Sequence, residues 1–138
     1  MKILFAIAFL LISVAGISQN NNVPPVIKTA FTKSFNNVSD VKWEKEGKSY
    51  EVNFVQNANK MSAVIDEQGK ILEIESEIKI SSLLPQILSY MNENYKGKEL
   101  IGASKINNEN GSIHYEALIK GKGIVFDSKG MFLKVTKD

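Results

Sequence analysis

Few side chains in this sequence could do chemistry, and their spacing narrows the set further. There is one histidine, His114, followed by Tyr115 and Glu116. A histidine acting as a general base needs a nucleophile or an orienting carboxylate beside it. Glu116 lies two residues on, on the same face of a strand, and nothing else suggests a triad. The plain reading is a strand residue facing solvent. Glu73, Glu75 and Glu77 fall at alternate positions, so a strand points all three one way. With Glu44 and Glu51 on neighbouring strands they make an acidic surface that attracts calcium or a cationic partner. Alternate carboxylates on a flat strand stand about 7 Å apart, too far for one ion to gather them all. Lys42 and Lys79 are placed to pair with them across strands. A solvated, salt-bridged face without a metal is therefore expected. The Asp66–Gly69 and Asp127–Gly130 segments are too short to wrap calcium and read as turns.

Composition removes whole classes. The chain has 138 residues, 43% of them hydrophobic, with 17 basic residues (every one a lysine) against 15 acidic ones and no cysteine. Near-balanced charge argues against nucleic acid as a partner, since phosphate neutralisation needs a basic surplus. The missing arginine removes the side chain suited to bidentate phosphate or guanine contacts. Without cysteine there is no disulfide, thiol nucleophile or Cys-based metal site. One histidine cannot build a multi-His site. No cofactor is expected.

The elements that position these residues begin after an export signal. Lys2 is followed by an apolar run from Ile3 to Ala15, broken only by Ser13. That run is shorter than the ~20 residues a membrane span needs. Small residues follow, so cleavage is expected after Ser18, with Gly16 as the alternative. Removing residues 1–18 takes away Lys2 and no acid, lowering the net charge from +2 to +1. No membrane span remains, and the mature chain is expected in the periplasm or secreted.

Residues 19–138 read as one domain built twice. Pro24 and Pro25 open a helix over Val23–Phe35, with Val26, Ile27, Ala30, Phe31, Ser34 and Phe35 as its buried stripe. Strands follow over 40–46, 49–55, 61–66 and 71–80, with Gln56–Lys60 as a polar loop. Trp43, Tyr50 and Phe54 share the apolar parity and belong to the core. Ser81-Ser82 caps a second helix with Pro85 in its first turn and Leu84, Ile87, Leu88, Met91 and Tyr95 as its stripe. Strands over 99–106, 113–120, 124–127 and 131–136 complete it. Pro25 and Phe35 match Pro85 and Tyr95 at an offset of sixty; Asp66, Gly69 and Leu72 match Asp127, Gly130 and Leu133 at sixty-one. The expected fold class is α+β: a tandem duplication of a helix plus four antiparallel strands, about 24–80 and 81–138, in one continuous antiparallel sheet. Both helices pack on one face. Neither half alone buries much surface.

This order of motifs resembles the PepSY-like, beta-lactamase-inhibitor-like family of exported bacterial proteins. The match rests on Pro25, Ala30, Phe35, Val41-Lys42-Trp43-Glu44, Tyr50-Glu51-Val52-Asn53-Phe54 and Asp66-Glu67-Gln68-Gly69. Glu75, Leu84-Pro85, Tyr95, Tyr115-Glu116 and Asp127-Ser128-Lys129-Gly130 extend it. The resemblance implies the α+β fold, an envelope or secreted location and no established enzymatic activity. The second half departs from the pattern at Ala103-Ser104 and Ala117.

One asymmetry suggests a contact surface. Opposite the core parity, the first half shows Lys42, Glu44, Glu51, Asn53, Glu73 and Glu75; the second shows His114, Glu116, Leu118, Phe132 and Lys134. Leu118 and Phe132 are expected to be exposed on adjoining parts of the sheet, making with His114 and Glu116 a candidate partner-binding patch. A register shift, or cover by a terminus, is the alternative. The functional expectation is a non-enzymatic exported binding module engaging a protein or envelope component through its sheet face. By family analogy only, the alternative is an inhibitor or regulator of an exported hydrolase.

Overall fold

Two short helices begin on prolines. In the computed structural model, which describes residues 22–137, α1 spans Pro25–Ser34 and α2 spans Pro85–Asn94. A proline in the first turn forfeits no helical hydrogen bond, because the first N–H groups have no carbonyl to reach. The buried residues recur every four positions: Val23, Ile27, Phe31 and Phe35 around α1, and Leu83, Ile87 and Met91 around α2. This stripe is narrower than the sequence pattern suggests, since Val26 is 48% exposed. Ser81 and Ser82 do not cap α2. They lie in a single 3-10 turn, Ile80–Ser82, and Leu84 precedes the helix without a side-chain cap. The expected export signal over 1–18 falls outside the described residues.

Each helix is followed by four strands. These are β1 (Val38–Glu46), β2 (Ser49–Gln56), β3 (Asn59–Ile65) and β4 (Ile71–Ile78), then β5 (Gly102–Asn108), β6 (Ile113–Ile119), β7 (Lys122–Asp127) and β8 (Phe132–Lys137). They form one eight-stranded sheet in chain order from β1 to β8. Of the described residues, 22–77 with 106–112 make one compact unit, and 78–105 with 113–137 make another.

In the first unit an aromatic group fills the core under α1. The Phe31 ring lies 5.4 Å from Phe35, 5.3 Å from Trp43 and 5.1 Å from Phe54. Val52, Ala63 and Ile65 complete the layer. The polar loop expected at 56–60 is tighter than that: only Asn57 and Ala58 separate β2 from β3, at φ 52° and 64°. Asparagine tolerates this left-handed region, but alanine does not announce it. In the second unit, Ile87 and Met91 pack on Ala117, Ile119, Ile124 and Phe126.

Both units contain the same turn. Asp66 Oδ1 accepts hydrogen bonds from the N–H groups of Gln68 and Lys70, each 2.9 Å. Asp127 Oδ1 does the same with Lys129 and Met131, each 2.9 Å. Gly69 and Gly130 close these turns at φ 84° and 82°, a region that favours glycine. Each glycine also sits against its helix: a Cβ at Gly69 would lie 3.2 Å from the Val26 carbonyl oxygen, and one at Gly130 would lie 3.1 Å from Gln86 Cβ. After each turn the register slips by one. Ile65 pairs with Ile71 but Val64 with Glu73; Phe126 pairs with Phe132 but Val125 with Lys134. Leu72 and Leu133 are thus the extra residues of two β-bulges.

Candidate functional site

The strand registers sort side chains onto the face opposite the helix. In the first unit one cross-strand row runs Glu44, Glu51, Val64, Glu73, and the next runs Lys42, Asn53, Ser62, Glu75. All the residues assigned to this face from alternation are there. Their exposure is not as expected. Glu51, Glu73 and Glu75 are buried at 4%, 9% and 0% exposure, so the face is not simply solvated. Alternation decides which face a side chain takes, whereas shielding comes from the strands on either side, and inner-strand carboxylates are flanked on both. Lys42 and Lys79 do not supply the expected ion pairs among the described residues; an ion pair forms instead between Lys70 Nζ and Glu109, at 2.6 Å.

Glu44, Glu46 and Glu51 converge most closely. Each can place a carboxylate oxygen within 4.8 Å of the others. The intervals expected along one strand do not apply, because Glu51 reaches in from the next strand. This trio offers the donor set for a hard cation. Its electrostatics also favour a proton. The Glu51 pKa is raised from 4.5 to about 7, by burial first and then by Glu46 and Glu44, while the Asn53 amide works in the other direction. Asn53 Nδ2 donates to Glu51 Oε1 across 3.4 Å. Glu51 therefore titrates near neutral pH.

The second unit carries a different arrangement. Glu116 is fully buried, and the Thr136 hydroxyl donates to its Oε1 at 2.9 Å. The carboxylate lies over Gly123: a Cβ there would fall on it and within 2.5 Å of Thr136 Oγ1. Only a residue without a side chain leaves this recess. His114 pairs in register with Asp127. It is half-buried, and burial first, then the nearby Lys134, lowers its pKa against the opposing pull of Asp127.

Leu118 and Phe132 do not form the shared exposed patch expected of them. Leu118 is 9% exposed, and its Cδ1 lies 3.1 Å from where a Gly102 Cβ would stand. Phe132 turns to the helix side, where its ring stacks on Tyr90 at 5.4 Å and 6°. The bulge at Leu133 is the cause, because one inserted residue reverses the parity of what precedes it. Nothing in the composition of 131–136 marks the bulge.

A shallow groove of about 560 Å³ beside α1 is lined by Val26, Thr29, Lys33, Gln68 and their neighbours, and His114 is not among its lining residues. Among the described residues no helix is long and apolar enough to cross a membrane.

Comparison with known proteins supplies a family. The model of the family described as "Putative beta-lactamase-inhibitor-like, PepSY-like" matches residues 16–73 and 49–134. No curated protein matches in sequence. Among solved structures, a "putative periplasmic" protein from Bacteroides eggerthii is similar at TM-score 0.72 and 11% identity, covering 83% of this chain and 88% of that one. A DUF2874 family protein from Bacteroides uniformis gives 0.72 and 13%, with 83% and 89% covered. A BLIP-like protein from Bacteroides fragilis gives 0.66 and 22%, with 85% and 89% covered. At these identities the likeness concerns the fold.

Proposed function

The chain belongs to the PepSY-like, beta-lactamase-inhibitor-like family, and from that premise we propose that it is a non-enzymatic exported binding module acting through the helix-free face of its first unit. The observation that carries this reading is the gathering of Glu44, Glu46 and Glu51, with Glu51 buried and held near pKa 7. Crowding like charges around a buried carboxyl costs stability, and such local costs concentrate where a surface has work to do. A basic segment of a protein or envelope component would relieve the repulsion by pairing with the acids. Residues 1–18 serve as the export signal in this reading, and the mature domain comprises two copies of one helix-and-four-strand unit.

The test is affinity capture from the native envelope with the mature chain and with a Glu44→Gln, Glu46→Gln, Glu51→Gln variant. A partner that binds the first and not the second supports the proposal; a partner retained equally by both overturns it. Inhibition of an exported hydrolase is the narrower form of this reading, and dose-dependent loss of the captured enzyme's activity distinguishes it from simple binding.

A further inference from the structure

The two outermost strands of the sheet are β1 and β8, and they are finished differently. An outer strand presents main-chain donors and acceptors to any passing strand, and proteins normally blunt it with charge, bulges or short length. β1 is blunted. It alternates charges along Asp40, Lys42, Glu44, Lys45 and Glu46, and its register shifts between Ser39 and Lys42, where Asp40 takes φ 53°. β8 is not. Met131, Phe132, Leu133 and Val135, on and just before it, are 64%, 41%, 44% and 45% exposed, and they make up most of the large exposed hydrophobics among the described residues. Among those residues no strand lies beyond β8.

The chemistry along this edge is specific. Phe132 pairs with Phe126, and Val135 with Ile124, so both stand on the helix side. The next residue on that side, Lys137, pairs directly with Lys122. Two exposed lysines opposite one another repel and are relieved by a carboxylate on an added strand. The first unit shows how this chain completes such a strand: the carbonyl of the bulge residue Leu72 accepts a hydrogen bond from the Glu109 N–H at 2.8 Å. Leu133 is the bulge residue of β8, with no described strand beyond it.

We propose that the outer edge of β8 is a strand-docking site for an extended acidic segment of a partner protein. The segment adds antiparallel, with apolar residues beside Phe132 and Val135 and a carboxylate beside the Lys122–Lys137 pair. Main-chain hydrogen bonds supply the attachment, and the alternate side chains supply the selection. Charge argues against a second copy of this chain as the occupant, because β8 carries Lys134 and Lys137 and no acid, so a second β8 offers the Lys122–Lys137 pair no carboxylate. The proposal uses none of the acids assigned to the first unit's binding face, so either can fail without the other.

The test measures fluorescence anisotropy of labelled acetylated peptides, ETVEVTV and its lysine counterpart KTVKVTV, with the mature chain. The acidic peptide is expected to bind. The lysine peptide, and an acidic peptide N-methylated at alternate amides, should bind about tenfold or more weakly. The exposed double variant Lys122→Glu, Lys137→Glu should reverse the preference between the two charged peptides. Absence of binding, equal binding of both peptides, or indifference to N-methylation overturns the proposal. So does a dimer in sedimentation equilibrium that Val135→Lys abolishes, since that assigns the edge to a second copy.

Discussion

The two units share a backbone programme and use different side chains to fill it. Under α1 the core is a cluster of four aromatic rings, Phe31, Phe35, Trp43 and Phe54. Under α2 it is mainly aliphatic, with Ile87, Met91, Ile119 and Ile124 around Phe126. On the opposite face the first unit crowds several carboxylates together, whereas in the second Glu116 rests over a glycine and accepts a hydroxyl hydrogen bond. The difference teaches that turn and bulge positions are what the units hold in common. The packing volume and the management of buried acid are free to diverge.

The largest expected effect separates the cores. Phe31→Ala removes the centre of the aromatic cluster and should cost about 3–5 kcal/mol in chemical denaturation. Met91→Ala, at the corresponding helix position, should cost less, about 2–3 kcal/mol, because methionine is itself flexible and its buried neighbours are mainly aliphatic. Equal losses would remove the distinction drawn between the two cores.

The next effect is a pH dependence arising from Glu51 in the first unit. Unfolded, Glu51 ionises near 4.5; folded, near 7. Between those values the unfolded chain releases a proton that the folded chain keeps, so stability is fully present below 4.5 and falls as pH rises to about 7. The loss is up to about 3 kcal/mol. Denaturation midpoints measured from pH 4 to 8 should show this fall, and Glu51→Gln should flatten it. A Glu51→Gln profile parallel to that of the native chain would show that the crowding has no thermodynamic weight.

A smaller change should mark the second unit. Gly123→Ala places a methyl group on the Glu116 carboxylate and the Thr136 hydroxyl, and should cost about 1–3 kcal/mol. Adding Glu116→Ala should recover part of that loss, because the clash goes with the carboxylate. No recovery would place the strain elsewhere. The smallest effect is at Lys70–Glu109, an exposed pair. Lys70→Gln should leave the melting midpoint unchanged within error, since exposed ion pairs contribute little.

Much of the architecture was legible in the sequence because its signals are local. Prolines start both helices, Asp-x-x-Gly closes two turns, and strand alternation places Lys42, Glu44, Glu51, Asn53, Glu73 and Glu75 on one face. Three things were not legible, each for a physical reason. The face that Phe132 takes escapes alternation because a bulge adds one residue without changing composition. The burial of Glu51 depends on neighbouring strands, which alternation along its own strand does not describe. The tight turn at Asn57-Ala58 uses an alanine at positive φ, a conformation its residue type disfavours.

The chain-order sheet has a kinetic consequence. Within each unit the strands pair with their immediate neighbours in sequence, so no pairing there must wait for a long crossover to close. Loop-closure entropy rises with the length of chain enclosed, and the short connection at Asn57-Ala58 encloses almost none. Folding rates fall as contacting residues become more distant in sequence, which makes many β-rich proteins slow. A succession of hairpins avoids most of that delay. The aspartate-glycine turns close two of these hairpins locally, each seated against the helix of its own unit.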